Sequence, residues 1–258
     1  MVLTACAENE LHYRLMKQAG INHMLFSYYY IKHGKWNLDY EKISHENQFV
    51  IFDSGAHTLQ RSDGKSTDAF FENYLNFVKM HQSKKNFVFV ELDIDNVVGI
   101  KKVEDWREQL LSIRKDTIIV WHKWTEKQKG KELWGEYCKN YEYVGLPNKD
   151  LKYCDPKKFL EIAKDYGTKV HGFAMTKPKL IDKLNFYSVD SITWLYASLS
   201  GHFFQYQNGT LQTISKDNFQ KLTRKQFNKA NYRFTELWSL LQWKKYAEAL
   251  KFRHGGKT

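Results

Sequence analysis

Phe87-Val88-Phe89-Val90 places four apolar side chains in a row with no polar position among them. A strand with one wet face alternates apolar and polar residues. An unbroken run belongs to a strand covered on both faces, as in a parallel sheet packed between helices. Extended to Phe87–Asp93, this run is one of eight that read as strands. The others are Val2–Ala7, His23–Ile31, Phe49–Asp53, Thr117–His122, Tyr141–Leu146, Lys169–Met175 and Ser188–Trp194.

The intervening segments carry helical spacing. Phe70, Tyr74, Phe77 and Val78 share one face after Ser66-Thr67, which can cap, and Val103, Trp106, Leu110 and Ile113 share another. Phe159, Ile162, Ala163 and Tyr166 end at Gly167, a residue suited to a helix C-terminus, and Leu180, Ile181 and Leu184 mark a short helix. The segment Trp124–Lys139 is lysine-rich and too weakly apolar to predict a helix firmly. Strand and helix alternate eight times, which predicts an α/β fold of the (β/α)8 TIM-barrel type over residues 1–215. A doubly wound open sheet is the alternative.

The remainder, residues 216–258, holds eleven basic and three acidic side chains, so +8 of the chain's +11 formal charge sits there. Leu240, Trp243, Ala247 and Leu250 keep an apolar stripe through it. This predicts a basic C-terminal helical extension docked by that stripe. A sequence pI near 9.3 favours a polyanionic partner, nucleic acid ahead of an acidic membrane surface. Lys244, Lys245 and Lys251 are the expected phosphate contacts.

The 258 residues suit one large α/β domain, and 42% apolar content suffices for its core. Cys6, Cys138 and Cys154 lie far apart, without the spacing of a disulfide framework or a zinc site. No apolar run approaches the roughly 18 residues of a membrane span, and no secretory leader opens the chain. A cytoplasmic protein of a bacterium or a phage-infected cell is expected, with no metal and no cofactor.

Two predicted strands end on aspartate followed by serine: Phe52-Asp53-Ser54-Gly55 and Val189-Asp190-Ser191. A carboxylate at the tip of a core strand must face water, a partner or a substrate. In a parallel barrel both would open at the same end. Asp93, Asp95, His122, Gly145 and His171 are expected at that end too. Paired carboxylates divide labour, one attacking and the other moving protons. Asp95 reads more simply as a helix N-cap or a loop solvation site, and His57, His122 and His171 as polar mouth residues or packing rather than metal ligands.

These segments resemble tRNA-guanine transglycosylases. Phe52-Asp53-Ser54-Gly55-Ala56-His57 is similar to the family's DSGG-aromatic motif, and Glu91-Leu92-Asp93-Ile94 to the LDI strand of its archaeal branch. Tyr143-Val144-Gly145-Leu146 and His171-Gly172-Phe173-Ala174 resemble the two strands that follow. Val189-Asp190-Ser191-Ile192-Thr193-Trp194-Leu195-Tyr196-Ala197 resembles the nucleophile segment.

The matching stretches keep the family's order from about Phe49 to Gly209. The family's cysteine–histidine zinc site and its appended RNA-binding domain have no counterpart. The chain therefore looks most like the deazaguanine DNA transglycosylases of phages and bacterial modification clusters, with tRNA as the alternative substrate.

The resemblance implies exchange of guanine for a 7-deazaguanine such as preQ0. It makes Asp190 the nucleophile, Asp53 the acid/base and Asp93 the reader of the guanine edge. Gly145 and Leu146 would face the 7-substituent, His57 would stack on the base, and His122 would contact it. Ser54 and Gly55 complete the implied substrate site. The family's barrels often pair, so a homodimer is implied too. A barrel that binds nucleic acid without catalysis is the reading from another class.

Overall fold

The computed structural model describes residues 1–34, 36, 38–60, 66–121, 131–175, 177–195, 201, 203–225 and 232–253, without the side chains of 131–132, 232 and 251–253. Eight parallel strands form one curled sheet: β1 (Val2–Ala7), β2 (His23–Ser27), β3 (Phe49–Asp53), β4 (Phe87–Phe89), β5 (Ile119–Val120), β6 (Tyr143–Pro147), β7 (Lys169–Phe173) and β8 (Ser188–Ser191). Their spatial order is β4-β3-β2-β1-β8-β7-β6-β5.

Helices α1 (Glu10–Gln18), α2 (Tyr28–Lys32), α3 (Tyr40–Glu46), α4 (Ala56–Leu59), α5 (Thr67–Met80), α6 (Asp95–Val98), α7 (Ile100–Ile113), α8 (Lys131–Asn140), α9 (Pro156–Asp165) and α10 (Pro178–Ile181) fall between the strands. After β8 come a hairpin, β9 (Phe203–Gln207) and β10 (Thr210–Ile214), then α11 (Lys216–Thr223) and α12 (Tyr232–Arg253).

Burial on both faces accounts for the unbroken apolar runs. In β3, Val50 and Phe52 join the large core between sheet and helices, while Ile51 joins a separate cluster with Leu25, Val88, Val90, Ile118, Val120 and Tyr143. That second cluster fills the concave side of the sheet. By the same alternation Asp53, the next residue of β3 after Phe52, turns to the concave side at the C-terminal end.

Where a fully closed barrel is expected, the regular ladders stop between β4 and β5. Those two edges meet through a single parallel bridge, Val90–Ile118. The Ile118 N–H donates to Phe89 O (2.8 Å) and the Glu91 N–H to Ile118 O (3.0 Å). At the next rung the Val120 N–H turns to the Glu91 side chain (Oε1, 2.5 Å), while the Glu91 carbonyl accepts from Ser54 Oγ (2.9 Å). A carboxylate thus replaces a backbone acceptor. Glu91 is 1% exposed and is matched by Arg107 of α7, whose Nε lies 2.7 Å from Oε2. Burial nevertheless holds the Glu91 carboxyl above its ordinary range, with Arg107 opposing.

Two further expectations need correction. The run His23–Ile31 is not one strand: it leaves the sheet after Ser27 and continues as helix α2. A short apolar run cannot distinguish the two states by itself. The hairpin adds two strands to the eight expected. Asn208 and Gly209, both at positive φ, turn it, and Thr210 pairs with Gln207. It packs against the C-terminal helices, where Phe203 and Phe219 stack with Phe234 and Trp238 beside them, while Phe204 and Leu211 join the large core. In α12, Leu240, Trp243 and Leu250 of the expected stripe are buried, and the helix docks on α1 and β1. No helix among the described residues is long and apolar enough to cross a membrane.

Candidate active site

Asp53 ends β3 and Asp190 lies at the end of β8, both on the concave side and both at the C-terminal edge of the sheet. Strands β2 and β1 separate them, three steps of roughly 4.8 Å along the sheet. Cys6 of β1 sits between, and the charges of both aspartates help keep its thiol protonated. Asp93 follows β4 close by. Its charge and that of Asp190 both act on Asp53, Asp93 the more strongly.

The chain fixes Asp53 through its neighbours. Gly55 stands at φ +86 and donates its N–H to Asp53 Oδ2 (3.0 Å). A Cβ at Gly55 would come within 2.4 Å of Tyr29 Cβ, so this turn requires glycine. Tyr74 Oη donates to Val90 O (2.7 Å) and Phe52 O (3.2 Å), bridging the ends of β3 and β4. Gln60 Nε2 donates to Asp93 O (2.9 Å) and holds the loop that carries Asp93. Burial, then Asp93, then Asp190 push the Asp53 carboxyl up to about 7, with the Gly55 N–H opposing. It can therefore exchange a proton near neutral pH.

Asp190 is 8% exposed and held differently. Its Oδ1 accepts the Ala174 N–H (2.8 Å) and lies 3.2 Å from His171 Nε2. Its Oδ2 accepts the Cys6 thiol (3.3 Å), a weak donor. Ala174 reaches it because its own backbone turns to φ +54 just after β7.

A cavity of about 410 Å³ opens beside these groups, lined by Asp53, Asp93, His57, Gln60, Lys149 and Phe173 among others. Its size falls in the range of small-molecule pockets. Of the expected substrate contacts, Asp53, Asp93 and His57 line it, and Asp190 adjoins it through Ala174. Ser54 does not reach it, because its hydroxyl is spent on Glu91 O inside the core, and Gly55 supports Asp53 from below. Gly145 is also displaced from its expected role. The Phe173 ring occupies the space where its Cβ would be, with Cε2 at 2.2 Å, so glycine there admits the ring rather than a ligand. Leu146 points outward into the core between sheet and helices. Pro147, Asn148 and Lys149, next along the chain, take the wall instead.

Asp95 opens α6 and lines a small crevice with Glu91 and Arg107. His122 lies outside the described residues, as does the Lys251 side chain. Lys244 is turned inward, its Nζ on Ala19 O (3.2 Å), while Lys245 is exposed. Among the described residues no group of three or more His, Cys, Asp or Glu could hold a metal ion. Phe173, Ala174, Gln60 and Cys6 were not singled out from sequence as site residues. Phe173 and Ala174 fall in a strand end already noted, but only the fold shows which of its residues faces inward.

No protein-family model matches the chain, and no curated protein sequence matches it.

Proposed function

We propose that this protein is a base-exchange transglycosylase that replaces guanine in DNA with a 7-deazaguanine, and that the sheet closes through the Val90–Ile118 bridge into a (β/α)8 barrel carrying the site. The observation that supports this most is the convergence of Asp53, Asp93 and Asp190 at one end of the sheet, beside a cavity of base-holding size.

The chemistry fits two differently held carboxyls. Asp190 attacks C1′ of a guanosine unit, and an Asp190 Oδ2–C1′ bond forms as the C1′–N9 bond breaks. The bonding pair leaves with guanine, which takes a proton from Asp53. The incoming deazaguanine then gives its N9 proton to Asp53, and its nitrogen pair attacks C1′. The Asp190–C1′ bond breaks and the carboxylate is restored. One group carries a single proton out and back, which suits a carboxyl whose pKa lies near 7. Asp93 accepts from the N1–H and exocyclic amine of the guanine edge. Phe173 and His57 flank the base plane. A duplex target must be unstacked and flipped, at about a few kcal/mol.

Radiolabelled guanine incubated with the protein and either DNA or tRNA tests the reading. Exchange of label into DNA is expected. Exchange into tRNA alone moves the substrate to RNA. Abasic product without incorporation makes the protein an N-glycosylase. No reaction with either, under conditions where the protein still binds nucleic acid, leaves a binding barrel.

A further inference from the structure

Behind Asp190 a file of polar side chains runs down the concave core. Tyr143 Oη makes a short hydrogen bond with Ser188 Oγ, which lies 2.6 Å from His171 Nδ1, and His171 Nε2 faces Asp190 Oδ1. Ser188 and His171 are 0% exposed and Tyr143 is 1% exposed. Their surroundings are apolar, with Ile51, Leu25, Val88 and Ile118 in the same cluster as Tyr143, and the Phe173 ring stands edge-on to His171 at 4.4 Å. Tyr143 closes the far end, beside a separate cavity at the N-terminal edge lined by Lys85, Asp116 and Lys169.

A buried polar group left without a partner costs about 1–3 kcal/mol. Four in series are tolerable only if their protons line up, and between a carboxylate and a neutral imidazole they can do so in one sense. A carboxylate Oδ1 accepts, so Nε2 of His171 carries the hydrogen. Nδ1 of a neutral imidazole then accepts from the Ser188 hydroxyl, which in turn accepts from Tyr143. Every donor points toward Asp190.

We infer that His171, oriented by Ser188 and Tyr143, is a positioning residue for Asp190. It ties down Oδ1 together with the Ala174 N–H, leaving Oδ2 as the oxygen that reacts. The role in the reaction rests on the transglycosylase reading; the proton order along the file does not. Cys6, the single donor on Oδ2 among the described residues, is weak enough to be displaced as a bond to carbon forms.

Two measurements test this separately. The first is ¹⁵N NMR of the imidazole, assigned by comparison with His171→Gln and made without substrate. It is expected to show hydrogen on Nε2, with resonances that move in Asp190→Asn and in Ser188→Ala. Hydrogen on Nδ1, or resonances indifferent to Asp190→Asn, overturns the file. The second is base-exchange kinetics. His171→Leu is expected to lower kcat about 100-fold with KM for the nucleic acid little changed, as for a reacting group displaced by an ångström or so. His171→Gln, whose amide can still donate to Oδ1, is expected to recover most of that loss. A folded His171→Leu with parental kcat, or a Gln variant no better than Leu, overturns the positioning role. An inactive parent protein instead removes the transglycosylase reading, and the NMR result stands on its own.

Discussion

The two ends of the site treat the same side chain in opposite ways. At the β3 end, Asp53 has one backbone donor and is crowded by Asp93 and Asp190, so its carboxyl holds a proton up to about pH 7. At the β8 end, Asp190 meets a backbone N–H, an imidazole and a thiol. The first environment suits a group that must gain and lose a proton, and the second a group that must stay in one place. Sequence position alone gives both the same description, an aspartate before a serine. The difference comes from which strands stand beside them.

The comparison breaks most visibly at Asp190. Asp190→Ala is expected to lower base exchange by at least about 10⁴-fold and to abolish any covalent adduct, since it removes the proposed nucleophile. Retention of exchange would assign the nucleophile elsewhere. Arg107→Ala leaves Glu91 buried and unpaired where β4 meets β5, and is expected to destabilise by about 3–5 kcal/mol in urea unfolding. Because Ser54 is tied to the same glutamate, the surviving folded fraction should lose the order of the Asp53 end before that of the Asp190 end.

Asp53→Asn sharpens the contrast. The folded-state pKa of Asp53 is raised, so the stability this carboxyl contributes is present below about pH 4 and lost as pH rises through about 7. Removing the charge is therefore expected to raise unfolding free energy by roughly 2–4 kcal/mol at pH 8 and hardly at all near pH 4. Exchange should fall about 10²- to 10⁴-fold in the same variant. In the parent protein, kcat/KM for guanine displacement should decline about tenfold per pH unit above about 7. A stability gain equal at both pH values would mean that Asp53 titrates as an ordinary carboxyl.

Gly145→Ala drives a methyl into the Phe173 ring. It is expected to cost about 1–3 kcal/mol and to raise KM for the incoming base, because that ring forms the cavity wall. Lys245→Gln touches neither carboxyl. It is expected to leave kcat alone and to reduce the slope of log binding constant against log salt by about 1. An unchanged slope would put the phosphate contacts elsewhere.

Strands such as β3 and β4 were legible because burial on both faces leaves an uninterrupted apolar signature, and Asp53 at a strand end followed from it; β7 and β8 are short mixed runs with His171 and Asp190 inside them. What escaped was set by tertiary contact. Glu91 breaks the apolar run after Val90, and Arg107 sits on the apolar stripe of α7 between Trp106 and Leu110. Each was a visible anomaly, yet nothing local pairs one with the other. The roles expected of Gly145 and Leu146 depended on where the Phe173 ring lies, which spacing does not encode. The hairpin is a different matter: Asn208-Gly209 between two β-prone stretches is a local turn signal, and it was readable.

The most direct test is to incubate the protein with guanine-containing DNA, denature it, and map any protein–nucleic acid adduct by peptide mass spectrometry. An adduct on the peptide containing Asp190, absent from Asp190→Ala and discharged by added 7-deazaguanine, is the predicted result. An adduct on Asp53, or exchange that proceeds in Asp190→Ala, would contradict it.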